Sequence, residues 1–215
     1  DEMAAAHHRA NVLFNTMRGG VRVDGTRFDR DDLQAFVALR HRPTATRLAA
    51  ALQALPAQVE RSQALQAAQA AAGDAGERLV LGYLPLTFSR RHGDPSRPWN
   101  RFSIRVRDAA GRRIVNYEGN WRDIFQNWEA MLPSEPAYVG SMIEAFLGAM
   151  TPDGYNPYRI GRAGIDWEVP EHDNPWSHIG YWGDHQVVYL LRLLEAAQAR
   201  DPALLPGLWN RALFS

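Results

Sequence analysis

In about six stretches of this chain the apolar residues recur every three or four positions, the spacing that lines them along one side of a helix. A fold that did not pack those stripes against one another would leave them in water, so the chain is expected to be mainly α. The stretches are residues 3–18, DDLQAFVALR, the segment from Thr44 to Pro56, RDIFQNWEAML, PAYVGSMIEAFLGAM and DHQVVYLLRLLEAAQA. Gly19-Gly20 stops the first, Asp29 or Asp31 can cap the second, Thr44 or Thr46 can cap the third, and Pro56 interrupts it. Residues 57–72 are rich in Ala and Gln, with only Val59 and Leu65 as large apolar residues, and read as a weakly anchored helix or a variable connection.

Between these helical stretches the period changes to alternation. VRVDGTRF reads as a short hairpin through Asp24-Gly25, and RLVLGYL, FSIRV and RRIVNY read as strands, the last two joined by the turn DAAGR. The polar loop TFSRRHGDPSRPWN lies among them. A long irregular segment, residues 151–183, separates the last two helical stretches, and loops of that length in a compact domain are usually functional. Three regions follow: a helical segment with a hairpin over 1–78, a β-rich insertion with an Arg-rich loop over 79–117, and a helical part carrying the candidate site over 118–215.

At 215 residues the chain is long enough for one ordinary core or two small ones. Lys and Arg number 24 against 24 Asp and Glu, so no global field recruits nucleic acid or an anionic membrane. All 24 basic residues are Arg, which reads as codon bias. The absence of Cys removes disulfides, thiolate catalysis and sulfur-ligated metals. No apolar run reaches the roughly 18 residues a membrane helix needs. The compartment stays open, with a cytoplasmic location favoured. The chain begins at Asp1 with a helix already under way and ends without a polar tail, so a piece of a longer protein is expected.

Charge is unevenly distributed. Residues 1–117 hold 18 Arg against 11 acids, whereas residues 118–195 hold 4 Arg against 12 acids and five of the seven Trp. An acidic, Trp-rich stretch dense in Gly, Pro and Asn suits a polar small-molecule site. Within it, Asn120, Trp121, Arg122 and Asp123 stand where a strand gives way to a helix, whose first N–H groups favour hydroxyl or anionic ligands; Asn120 or Asp123 could equally be a simple cap. Asp166, Trp167 and Glu168, with Glu171 and Asp173, crowd carboxylates around an indole, the material of a general acid and base or of a solvated acidic loop. Asp184 could cap the last long helix while His185 or Gln186 faces the same cavity. His172, His178, Asp184 and His185 match no metal-ligand spacing, and no metal or cofactor is expected. Arg90, Arg91 and Arg97 could hold a phosphate, though that loop lacks the Gly and Lys of a P-loop.

The stretches EGNWRDIFQNWEAM, TPDGYNPYRI, GIDWEVPE and NPWSHIGYWGDHQVVYLLRLLE resemble parts of large bacterial proteins that are in turn similar to the six-hairpin (α/α) toroid carbohydrate enzymes: disaccharide phosphorylases, debranching enzymes and related glycosidases. The element that carries the likeness is Trp121, Arg122, Asp123 and Gln126. The resemblance spans roughly residues 80–195 and implies part of an (α/α) toroid with a small β-hairpin insertion. It implies an enzyme that cleaves a glycosidic bond by inversion, using water or inorganic phosphate, on an oligosaccharide or disaccharide. It gives Arg122 and Asp123 the role of holding sugar hydroxyls, with Asn120, Gln126, His185 and Gln186 nearby. Trp121, Trp167 or Trp182 would stack on a sugar face, and Arg90, Arg91 and Arg97 would bring phosphate. The general acid of the phosphorylases lies in an Asp-Trp-Asn-Asp-like element, where this chain has Asp166-Trp167-Glu168, so Glu168, Asp166 or neither is the acid, with Asp184 a further carboxylate. Twelve helices make a full toroid; about six are expected here, so roughly half a barrel packing against further domains is implied. The competing expectation is a non-catalytic helical module that binds carbohydrate or another protein.

Overall fold

A computed structural model describes residues 2–17, 27–89, 107–133, 135–167, 172–173, 181–182 and 187–212; the side chains of 11–17, 88–89, 122–123 and 181–182 lie outside the description. The described residues are mainly helical with a small sheet, and hold eight α-helices where about six were expected.

The first layer follows α1 (Glu2–Met17) and is built from β1 (Arg27–Asp29), α2 (Arg30–Arg40), α3 (Arg42–Gln53), β2 (Gln58–Glu60) and α4 (Arg61–Leu81). Asp29 caps α2 as expected, accepting from the Asp32 N–H at 2.8 Å. The cap of α3 is not Thr44 or Thr46 but His41, whose Nδ1 accepts from the Thr44 N–H at 3.3 Å and sits 2.8 Å from its hydroxyl. Pro43 stands in the first turn, where its missing N–H costs nothing.

The expected hairpin through Asp24-Gly25 falls partly outside the described residues. Its described end, β1, pairs antiparallel with β2, Phe28 opposite Val59. Two helices separate these strands in sequence, and the apolar faces of α2 and α3 bring them together over a core of Phe28, Leu33, Phe36, Leu48, Leu52 and Val59.

The Ala-rich segment is well anchored. Ala64, Ala68, Ala72 and Gly76 recur every fourth residue and are buried, a ladder of small residues that lets α4 approach Leu48 of α3. Gly73, at φ +63°, breaks α4 into two helical pieces, a backbone setting that glycine adopts without strain. A Cβ at Gly76 would lie 2.7 Å from both the Ala68 carbonyl oxygen and the Ala72 Cβ. Gly76→Leu is therefore expected to destabilise the fold by about 2–3 kcal/mol through overpacking; a urea melt matching the wild type would mean that the ladder does not hold the helices together.

RLVLGYL is not a strand. Arg78–Leu81 form the last turn of α4, with Val80 and Leu81 buried. A short apolar run has no period of its own to distinguish helix from strand. FSIRV lies outside the described residues, and RRIVNY becomes regular strand only from Asn116. The DAAGR turn forms as expected, with the Asp108 carboxylate accepting from the Ala110 and Arg112 N–H groups.

The second layer holds β3 (Thr87–Ser89), β4 (Asn116–Asn120), α5 (Trp121–Met131), a 3-10 turn at Pro136–Tyr138, α6 (Val139–Leu147), β5 (Tyr155–Asn156), β6 (Arg159–Gly161), β7 (Gly164–Asp166), β8 (Tyr181–Trp182), α7 (Val187–Arg200) and α8 (Leu204–Trp209). Its four-stranded sheet runs β3-β4-β6-β7, with β3 parallel to β4 and the other neighbours antiparallel. The long segment expected to be irregular thus contributes two strands to this sheet, and β5 pairs with β8 apart from it. The core behind the sheet is aromatic: Trp121, Phe125 and Phe146 pack edge to face or tilted at 4.7–5.4 Å, and Tyr117 meets Trp128 at 5.8 Å.

Arginines join the two layers. Arg40 donates to the carbonyls of Gly161 and Arg162, Arg162 pairs with Asp32 at 2.6 Å, and Arg61 donates to the Ser141 hydroxyl at 2.7 Å while lying over the Tyr138 ring. Arg211, beyond α8, clasps Asp74 and Glu77 of α4.

Candidate functional site

The strand-to-helix junction takes the form expected from its sequence. β4 runs straight into α5, and Asn120 is the N-cap residue, with φ −58° and ψ 140° but no side-chain cap bond. The first N–H of α5, that of Trp121, is taken by the Tyr158 carbonyl at 3.0 Å. Trp121 itself is fully buried against Phe125 and Phe146. It is a core residue and presents no ring to a ligand, which corrects its expected role as a sugar platform. The side chains of Arg122 and Asp123 lie outside the described residues. Gln126 is half-buried and turned to α1, its amide 3.4 Å from the His8 ring. Thus, of the four residues that carry the resemblance, one is core and one faces another helix.

A different set converges on the same sheet. The pairing places Asn120 opposite Arg159 and Arg159 opposite Asp166, with Glu118 opposite Gly161. Arg159 then bridges two carboxylates: its Nη1 donates to Glu118 Oε1 at 2.7 Å, and its Nε and Nη2 both reach Asp166 Oδ2, at 2.8 and 2.7 Å. That oxygen accepts from two guanidinium N–H groups, which fix the carboxylate in place. Trp167 follows Asp166 in sequence, just past the end of β7, and is 44% exposed.

Arg159 was not singled out from the sequence. The signal was present in RIGRAGID: a two-residue turn at Arg162-Ala163 forces Arg159 opposite Asp166. Glu168, Asp184, His185, Gln186 and the three loop arginines Arg90, Arg91 and Arg97 lie outside the described residues, and Trp182 is described only as a β8 backbone position opposite Tyr155.

Two further ionisable groups stand between the layers and were also missed. Glu144 of α6 is pushed up to about 7 by burial, a rise opposed by the Arg78 and Arg40 guanidiniums. The Tyr83 hydroxyl is pushed above its usual value by burial and by Asp32, to which it donates at 2.7 Å. Neither sits in a sequence motif; each becomes visible only when α2, α4 and α6 are packed.

Among the described residues no three His, Cys, Asp or Glu side chains gather to hold a metal, and no helix is long and apolar enough to cross a membrane. No protein-family model matches the chain, and no curated protein matches it.

Proposed function

We propose that this chain is part of a carbohydrate-active enzyme that cleaves a glycosidic bond by inversion, with water or inorganic phosphate as the attacking group, and that its helices form part of an (α/α) toroid completed by further domains. The observation that supports this best is the Glu118–Arg159–Asp166 bridge, together with the exposed Trp167 that follows Asp166 in sequence. An indole offers a flat apolar surface to the C–H face of a sugar, and pinned carboxylates and guanidinium N–H groups fix its hydroxyls. In this reading Asp166 orients a hydroxyl through Oδ1, Glu168 protonates the leaving oxygen, Arg122 and Asp123 hold the sugar beyond the cleaved bond, and Arg90, Arg91 and Arg97 supply phosphate where phosphate is the attacking group. Asp184 is the further carboxylate that would activate water. The protein would act in the cytoplasm.

A second reading, a non-catalytic carbohydrate-binding module, is favoured by one feature: Glu118 and Asp166 are both committed to a single arginine, an arrangement for binding. Trp fluorescence titrated with a panel of disaccharides tests the shared part of both readings. Trp167→Ala is expected to weaken binding about tenfold or more. Unchanged affinity would remove the sheet edge as the sugar site. Product assays with and without phosphate on Glu168→Gln then separate enzyme from module, because only the enzyme loses turnover while keeping affinity.

A further inference from the structure

A cavity of about 590 Å³ opens between the layers, with Trp167 not among its lining residues, and its size falls in the usual range for small-molecule sites. One wall is the end of β1 and the first turn of α2, including Phe28 and Asp32; the other is the segment leading into β4, including Arg112 and Arg113; Tyr83 and Pro85 line it as well.

Both walls are built. Asp32 is held at each oxygen separately, Oδ1 by Arg162 at 2.6 Å and Oδ2 by the Tyr83 hydroxyl at 2.7 Å. Each carboxylate oxygen carries a second lone pair, so the group is fixed in place with acceptor capacity left, and its side chain is still 32% exposed. Tyr83 is itself locked edge-to-face between Phe28 and Phe36 at 5.0 and 5.3 Å. The opposite wall is pinned by the buried Thr87 hydroxyl, which donates to the Ile114 carbonyl, and by the Asn116 N–H, which donates to Leu86. Arg112 pairs with Asp108 through Nε and Nη2 and keeps its Nη1 hydrogens for another acceptor.

The charges select the ligand. Three carboxylates (Asp29, Asp32 and Asp108) and two guanidiniums line the cavity, and Arg162 stands behind Asp32, so the set is balanced and favours neither an anion nor a cation. Carboxylate acceptors and guanidinium donors thus line one cavity, with apolar surface from Phe28, Pro85 and Val115 among them. A hydroxyl is a neutral group that donates to a carboxylate and accepts from a guanidinium at once. We propose that this cavity is a binding site for a small neutral polyhydroxylated compound, held between Asp32 and Arg112. It shares no residue with the sheet-edge site and does not depend on it.

The test is amide-detected NMR titration of the protein with glucose, maltose and myo-inositol, with glycine as a zwitterionic control. At least one polyol is expected to give saturable shifts centred on Asp32, Tyr83, Arg112 and Ile114 at concentrations in the millimolar to tens of millimolar range. Those shifts should persist in Trp167→Ala and weaken at least about fivefold in Arg112→Ala, a change at a side chain that is 81% exposed and away from the core. Asp32→Asn adds a second arm wherever its amide spectrum stays native-like. No saturable shift from any polyol, shifts from glycine alone, or equal affinity in Arg112→Ala would overturn the proposal; loss of the shifts in Trp167→Ala would assign the binding to the sheet edge instead.

Discussion

Trp121→Ala is expected to unfold the second layer before it touches ligand binding, with a loss of about 3–5 kcal/mol in a urea melt. The indole is fully buried at the start of α5 and packs on both Phe125 and Phe146, so its removal leaves a ring-sized void in an aromatic cluster whose members have nowhere to collapse. Trp121→Phe keeps most of the volume and should cost under half as much. The contrast with Trp167 carries the point: one Trp should act on stability and the other on sugar affinity. A Trp121→Ala protein with native stability and selective loss of sugar binding would return Trp121 to the role suggested by the sequence.

Glu144→Gln is expected to stabilise the protein at pH 8 relative to wild type, and to do so much less at pH 5. Burial raises the Glu144 carboxyl from its usual value of 4.5 to about 7, so between those limits the folded state holds a proton that the unfolded chain has released. Wild-type stability from this group is therefore intact below about 4.5, declines as pH rises through the window, and levels off above about 7. The ceiling is about 3 kcal/mol, and a partly solvated carboxyl should give about 1–3. The groups that face it are Arg78 from α4, Arg40 from α2 and Tyr117 from β4, and the two guanidiniums limit the rise. The Gln variant has no such slope, so the difference between the two proteins isolates the effect from every other titrating group. Equal differences at pH 5 and pH 8 would show that Glu144 is solvated like a surface carboxylate.

Both expectations turn on contacts across distant parts of the chain, where the sequence was least legible. The bodies of α2, α5, α6 and α7 could be read from apolar spacing, and Asp29 as a cap and DAAGR as a turn from residue type, because each rests on hydrogen bonds within a few residues. α4 could not. Its helix rests on a ladder of small residues against Leu48, and an alanine looks the same in sequence whether it lies at a close helix contact or in a loose connection. RLVLGYL was misread for a related reason: a short apolar run such as Leu79-Val80-Leu81 fits either period. The candidate site divides along the same line. Asp166 and Trp167 were legible as a carboxylate beside an indole, but the partner that organises them, Arg159, acquires its role only through strand pairing with β4 and β7.

By itself, then, the sequence determined the helical class, the placement of most helices, the absence of thiol chemistry and the acidic, Trp-rich character of the second half, since these follow from local periodicity and composition. Only the tertiary structure decided which Trp is core and which is surface, which arginine organises the carboxylates, and that Asp32, Tyr83 and Arg162 form one bonded group. Arg162 lies 130 residues from Asp32 in the chain. Such a contact is created by the packing of two layers, and nothing in the local order of residues encodes which side chains will meet when apolar faces close over each other.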